Sequence, residues 1–340
     1  MARVRSLSIP LAFVASLVCG RAAALDERQL AVIINDADPQ SVEVGGYYAE
    51  HRHIPAANVI HVRFSAAADT LDPAEFDPLI IKVKIATPPG VQAYALTWTR
   101  PYRVGCMSIT TAFAMGYGQR FCAAGCRPTA PNPYFNSPSR RPWDDTNVRP
   151  AMMLGAVTAA NAERLIDRGV AADFTAPPDG AAYLLVTSDA ARSTRAPGFP
   201  EVRQEFGGRL PVNLLRADGI RDRYDVMFYF TGTVQVPYLD TLGFLPGAIG
   251  DHLTSAGGVL FGDKQMSALR WLEAGATGSY GTVAEPCNFT QKFPNPAFVM
   301  KYYLAGETLI EAYWKSVVWP GQGLFIGEPL ARPYAARNAD

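Results

Sequence analysis

The stretch LAVIINDADPQSVEVGGYYAEHRHIPAANVIHVRF, residues 30–64, decides the fold. It opens on a short apolar run, LAVII, that ends in Asn35-Asp36-Ala37-Asp38. That is the pattern of a buried strand with acids at its carboxyl edge. Ser41 stands where a helix over residues 41–53 needs a cap, and the helix must stop before Ile54-Pro55. Residues 58–64 (NVIHVRF) make a second strand, 72–85 another helix and 91–97 a third strand. The first third therefore alternates β-α-β-α-β, the order of a parallel sheet.

Working outward, residues 100–149 break this rhythm. They hold Cys106, Cys122 and Cys126 and the proline-rich run PNPYFNSPSRRPWDD. So long a stretch inside a compact domain is functional, cross-linked or a lid. The alternation then resumes. Strands are expected at 152–154, 182–187, 225–230, 258–261, 279–283 and 323–326. Helices are expected at 159–167, within 202–215, near 249–254, and at 267–274, 296–304 and 307–315. Gly275 suits a helix C-cap. The fold class is α/β: an open parallel-sheet sandwich with helices on both faces. The two α/β runs are either two sheets or halves of one. The segments are 25–99, an N-terminal α/β subdomain; 100–149, a Cys/Pro-rich insert; and 150–340, a C-terminal α/β subdomain.

Residues 1–24 read as a signal peptide. Arg3 and Arg5 give a positive start, LSIPLAFVASLVCG a short apolar stretch, and Ala22-Ala23-Ala24 a small-residue cleavage site. The expected location is the periplasm or the exterior. No later segment is apolar and long enough to span a bilayer. Acidic and basic residues number 31 each, so the broad basic footprint of a nucleic-acid binder is missing.

Four cysteines follow the leader, and an oxidising compartment makes disulfides the default. Cys122 and Cys126 are close enough for a loop staple, but four cysteines allow three complete pairings. A zinc site is not expected, because a second short-spaced ligand pair is absent. Motifs for nucleotide triphosphates, dinucleotides, zincin metals and the α/β-hydrolase nucleophile elbow are all missing, and no cofactor is expected.

In open parallel sheets, ligands bind beyond the carboxyl ends of the strands. That rule selects Asp36, Asp38, Asp189, Thr231, Thr233 and Asp263 as ligand-binding candidates, although Asp also commonly caps a helix or turn. The densest block, 246–333, carries His252 and Cys287. A nucleophilic cysteine needs its thiolate and a base. His252 is the candidate base, and Asp251 or Glu285 the candidate to orient its ring. The bland alternative is that Cys287 is disulfide-bonded or buried and that His252 has a local structural partner. His51 and His53 lie two apart and read as surface residues. Trp271, Tyr302, Tyr303, Tyr313, Trp314 and Trp319 read as core aromatics.

The motifs YYAEHRHIPAANV (47–59), ALTWTRPYRV (95–104), DHLTS (251–255), GATGSYGTVAEPC (275–287), GETLIEAYWKS (306–316) and GLFIGEPLARP (323–333) resemble a family of exported bacterial proteins. That family occurs in species carrying the exosortase sorting system and its PEP-CTERM substrates. The resemblance implies an envelope setting and no particular reaction. More distantly, the C-terminal half resembles the gingipain-like, caspase-like cysteine peptidases, with their closing elements at 281–284 and 327–330. In such peptidases the catalytic His follows a strand in a Gly-His-Gly turn. The matching place here is Thr231-Gly232-Thr233, without a histidine. The nucleophilic Cys ends the next strand, expected here around Gly262-Asp263, again without one.

Three readings follow. The first is an envelope protein on a cysteine-peptidase-like fold, lacking the usual His/Cys dyad, that binds an exported or sorted protein or a surface polymer. The second is a secreted cysteine hydrolase using Cys287 and His252. The third is a metal-dependent hydrolase in which Asp36, Asp38, Asp189 and Asp263 converge on a hard cation.

Overall fold

The computed structural model describes residues 24–123 and 126–337. The expected leader, apart from Ala24, lies outside them. The first β-α-β unit is β1 (Leu30–Asn35), α1 (Pro39–His51) and β2 (Val59–Val62). Asp38, not Ser41, caps α1: its carboxylate accepts the Gln40 N–H at 3.0 Å. Pro39 supplies a preset first-turn φ, so the helix starts earlier than the position of Ser41 suggests. Ser41 lies fully buried inside the helix, where its hydroxyl accepts the Asn35 N–H and meets the Thr97 hydroxyl.

The chain continues through β3 (Thr70–Leu71), α2 (Pro73–Ala86), β4 (Ala93–Leu96), β5 (Arg103–Val104), β6 (Met107–Ser108), α3 (Ile109–Met115) and α4 (Pro142–Thr146). The short β3, β5 and β6 form a separate small sheet. The second run is β7 (Ala151–Met153), α5 (Ala159–Ala172), β8 (Ala181–Val186), α6 (Phe199–Phe206), β9 (Val212–Arg216), β10 (Val226–Gly232), β11 (Phe244–Leu253), α7 (Leu269–Glu273), β12 (Gly278–Thr282), α8 (Pro296–Leu304), α9 (Leu309–Trp314) and β13 (Gly323–Gly327).

Both runs join one ten-stranded sheet in the order β2-β1-β4-β7-β13-β12-β11-β10-β8-β9. All neighbours are parallel except β12 and β13, which run antiparallel. The sheet is thus two five-stranded parallel halves pointing in opposite directions. Their carboxyl edges lie on opposite sides of the molecule. This corrects the expectation that one edge gathers all the strand-end acids.

Of residues 249–254, expected as helix, 249–253 belong to β11, and residues 258–261 are not a strand. From residue 247 to 253, β11 is buried at every position, so the alternation that marks a half-exposed strand is absent. A β-carbon at Gly250 would stand 2.3 Å from the Trp271 ring, so only glycine allows that packing. The 202–215 segment holds the end of α6 and then β9, a strand the helical reading passed over.

Period-2 alternation sorts the core into two layers. Tyr183, Leu185 and Tyr229 face Trp271 and Met266. Leu184, Phe228 and Phe230 belong to the larger cluster with Phe199, Val202 and Tyr303. Trp271, Tyr302, Tyr303, Tyr313 and Trp314 are buried, as their spacing predicts, whereas Trp319, expected with them, is only half-buried.

A buried ion cluster ties the last strand to the first helix. At the end of β13, the Glu328 carboxylate accepts from Arg52 Nε at 3.0 Å, Arg52 Nη2 at 2.5 Å and the Tyr48 hydroxyl at 2.8 Å. Arg52 also donates to Asp173, beyond α5, at 2.6 Å. A β-carbon at residue 169 would come within 2.4 Å of the Glu328 side chain, which is why glycine sits inside α5. Removing one member strands buried charge, at a cost of about 3–5 kcal/mol. Glu328→Ala is therefore expected to lose that much stability in urea denaturation, and Tyr48→Phe about 1 kcal/mol. A Glu328→Ala loss below about 1 kcal/mol, the scale of an exposed pair, would show that the cluster is not a structural lock.

Candidate functional site

The carboxyl edge of the half formed by β12, β11, β10, β8 and β9 holds most of the candidates. Beyond β8, Asp189 accepts the Arg192 backbone N–H at 3.2 Å and its guanidinium at 3.0 Å, closing a tight turn. Asp189 is thus a turn cap with an ion pair. Arg192 reaches across to Thr254, just past β11, donating from Nε to Oγ1 at 3.0 Å. Thr254 donates onward to Gln265 at 2.7 Å. Thr187 donates to the Gly232 carbonyl at 2.5 Å. The strand ends are therefore cross-linked by a polar chain from β8 to β11.

Gly232 ends β10 where the peptidase resemblance expects a histidine turn. A β-carbon there would lie 1.9 Å from the Arg192 carbonyl oxygen. The 189–193 turn occupies the space that any side chain at 232 would need. The strand after β10 is β11, which ends at Leu253, so no strand ends at Gly262-Asp263 as expected. Thr254 is engaged as described. Ser255 borders a recess of about 70 Å³ with Arg192, Pro286 and Cys287.

The thiol–imidazole pair is not assembled. Cys287 is disulfide-bonded to Cys126, and Cys106 to Cys122, so the Cys122–Cys126 staple is also corrected. The bonds tie the insert to its own start and to the loop beyond β12, spans that sequence spacing cannot rank. Asp251 and His252 are neighbours on a strand and so point to opposite faces. Asp251 therefore cannot orient the His252 ring. Glu285 does not either: it accepts the Cys287 backbone N–H at 2.7 Å.

His252 is 1% exposed, and both ring nitrogens are used. Nδ1 accepts from the Trp271 indole at 2.9 Å, and Nε2 lies 3.0 Å from the Met266 carbonyl. That pairing fixes the neutral tautomer with its proton on Nε2. Burial pushes its pKa down to about 4. Asp251, on the other face, pairs with Arg195 at 2.5 Å, both side chains being out of solvent. Burial raises the Asp251 pKa, with Arg195 pulling it back. Arg195 also donates to the carbonyls of Thr231 and Pro294 at 2.8 and 3.0 Å. It thereby fastens the 193–198 turn to β10, β11 and the 290–296 segment.

Beside Arg195 opens a cavity of about 300 Å³. Phe135, Phe199, Phe293 and Val202 supply its apolar wall, which faces polar groups from Thr194, Arg195, Thr290, Gln291, Asn295 and Ser316. Sequence reasoning missed this pocket and both arginines. The signal available was DAARSTRAPG, residues 189–198: two arginines directly after a strand end.

The remaining candidates are dispersed. Asp36 pairs with His61 at 2.7 Å, and Asp38 caps α1; both belong to the opposite half of the sheet. Asp263 is exposed, and Thr233 donates to the Gln235 carbonyl at 3.1 Å. Thr231 is buried, with no partner for its hydroxyl. Among the described residues no group of three or more His, Cys, Asp or Glu side chains is placed to hold a metal ion. The four-carboxylate centre is thus not formed, because its acids sit on opposite edges.

No family model matches this chain, and no curated protein does. A solved structure called "Structure of Protease" is similar over 91% of this chain and 79% of its own, with a TM-score of 0.49 and 9% identity. That likeness transfers no residue role.

Two outcomes are expected. Unfolded histidine titrates near 6.5, and His252 in the fold at about 4. Between those values the unfolded chain binds the extra proton, so stability falls as pH falls through that window, by about 3 kcal/mol in all. His252→Phe is expected to flatten that part of the stability–pH curve; an unchanged curve would contradict the assignment. Arg195→Met strands Asp251 and should cost about 3–5 kcal/mol in urea denaturation, partly recovered in the Arg195→Met/Asp251→Leu double variant. Full additivity of the two substitutions would contradict the pairing.

Proposed function

We propose that this chain is an exported envelope protein that binds an exported or sorted polypeptide without cleaving it, on a fold related to the gingipain-like cysteine peptidases. The observation that carries the reading is the occupied carboxyl edge. Where a peptidase keeps a base and a thiolate, this chain has Gly232 under the Arg192 carbonyl, Thr254 bonded on both sides, and Cys287 in a disulfide. Adjacent to that edge lies the 300 Å³ pocket, whose size and phenylalanine wall suit one large side chain and whose polar wall can meet the peptide backbone that carries it. The edge-to-face rings of Phe135 and Phe298, with centroids 5.1 Å apart, extend the aromatic surface beside it. Two disulfides fit an exported protein. Among the described residues no helix is long and apolar enough to cross a membrane. A role in sorting through the exosortase system follows from the family resemblance alone and is part of the proposal.

Gly198 lines the pocket, and a β-carbon there meets nothing within 4 Å. Gly198→Trp therefore sets an indole at the pocket's rim without a backbone clash. Calorimetric titration with acetyl-Ala-Xaa-Ala-amide peptides should show binding for Xaa = Phe or Leu and none for Asp. Gly198→Trp should weaken that binding at least tenfold, or by about 1.4 kcal/mol. Labelled casein should remain intact in both oxidised and reduced protein. Turnover of casein that disappears in Cys287→Ala would overturn the reading in favour of a hydrolase.

A further inference from the structure

The buried carboxylate of Glu311 has only half of its bonding capacity filled, and what lies next to it is the backbone nitrogen of Leu25. Glu311 stands in the first turn of α9 and is fully buried, as is Leu25. One carboxylate oxygen, Oε2, accepts the Thr308 N–H at 2.9 Å, the Thr308 hydroxyl at 2.7 Å and the Leu25 N–H at 3.1 Å. The other, Oε1, is shut off from solvent and has no partner. The cations nearby belong to Glu307: Lys315 lies 2.5 Å from it and Arg140 3.6 Å. Among the described residues no cationic side chain forms an ion pair with Glu311. A buried carboxylate with an empty oxygen is unfavourable, and a charge in such a place is ordinarily paired.

A peptide nitrogen at residue 25 has one hydrogen to give. A chain that begins at residue 25 has three, with a positive charge. We propose that removal of the leader between Ala24 and Leu25 creates the missing counter-charge: the new Leu25 ammonium docks against Glu311 and bridges both of its oxygens. The step is hydrolysis by a signal peptidase. Water's hydroxyl adds to the Ala24 carbonyl carbon and the C–N bond breaks. The nitrogen leaves with water's proton as an amine, which takes up a second proton at neutral pH because α-amino groups titrate near 8. Ala22-Ala23-Ala24 supplies the small residues such an enzyme reads. The scissile bond is inaccessible in the fold, Ala24 being 6% and Leu25 0% exposed. Cleavage therefore precedes closure of the structure, and the processed chain alone satisfies Glu311. Processing and stability are coupled at one buried ion pair. This inference requires export but not the binding role.

The test uses protein secreted by cells from the full-length gene. Intact mass and N-terminal sequencing should give Leu25 as the first residue. Acetylation by an N-hydroxysuccinimide ester at pH 7 should then label the α-amine of the tryptic peptide Leu-Asp-Glu-Arg at least twentyfold more slowly in native than in urea-unfolded protein. Glu311→Gln, or a Gly-Ser insertion after Ala24, should abolish that protection and lower the melting temperature. Should either variant fail to fold, the wild-type labelling ratio still decides. A different first residue, or equal labelling of native and unfolded chains, overturns the proposal.

Discussion

The antiparallel contact between β12 and β13 is the constraint on which the rest depends. It is the single place where the ten-stranded sheet reverses. The last strand of the chain enters the middle of the sheet, pairing with β7 on one side and β12 on the other. Within the halves, β1–β2, β2–β4, β4–β7, β8–β9 and β11–β12 are joined through α-helices, as parallel neighbours usually are, whereas β9–β10 and β10–β11 are joined without one. The reversal puts the carboxyl edges of the two halves on opposite sides. One edge receives Asp36 and Asp38, the other Asp189, Thr254 and the β12 loop. Arg52, Glu328 and Asp173 then hold the end of β13 against α1 and α5. Loss of that lock would loosen the strand that joins the halves.

On the edge beyond β10 and β11, most polar groups are spent on each other, the Thr231 hydroxyl being left without a partner. Arg192 bridges Asp189 and Thr254; Arg195 bridges Asp251 and two carbonyls; Thr187 holds Gly232. A nucleophile needs an unbonded lone pair and a base within reach. This network offers order instead. The open volume lies beside it, where three phenylalanines form one wall and Arg195, already paired with Asp251, stands in the other. A fixed scaffold next to an apolar pocket is an arrangement for holding a side chain.

The alternating β-α-β pattern of residues 30–97 and the strand at 182–187 were legible because apolar runs and caps fix them locally. So were the helix at 296–304, which Asn295 caps, and the burial of the C-terminal aromatics. β11 was not legible: buried on both faces and studded with glycine, it has neither helical nor strand periodicity. Misplacing it put an expected strand end at Gly262 and Asp263, where the structure has none. The direction of β13 was equally out of reach, since pairing sense is a long-range property with no local residue signature. Cys126 and Cys287 are 161 residues apart, and spacing alone cannot choose among the three complete pairings. Asp251 beside His252 looked like a catalytic couple in the sequence. On a strand, adjacency separates the two residues onto opposite faces.

The most direct test of the closed edge is disulfide mapping of the oxidised protein by mass spectrometry without reductant, combined with iodoacetamide treatment of the native fold. The account predicts a linked peptide pair containing Cys126 and Cys287, a second containing Cys106 and Cys122, and no alkylation of Cys287. A free Cys287 that alkylates rapidly below pH 7, and slows in His252→Ala, would contradict it.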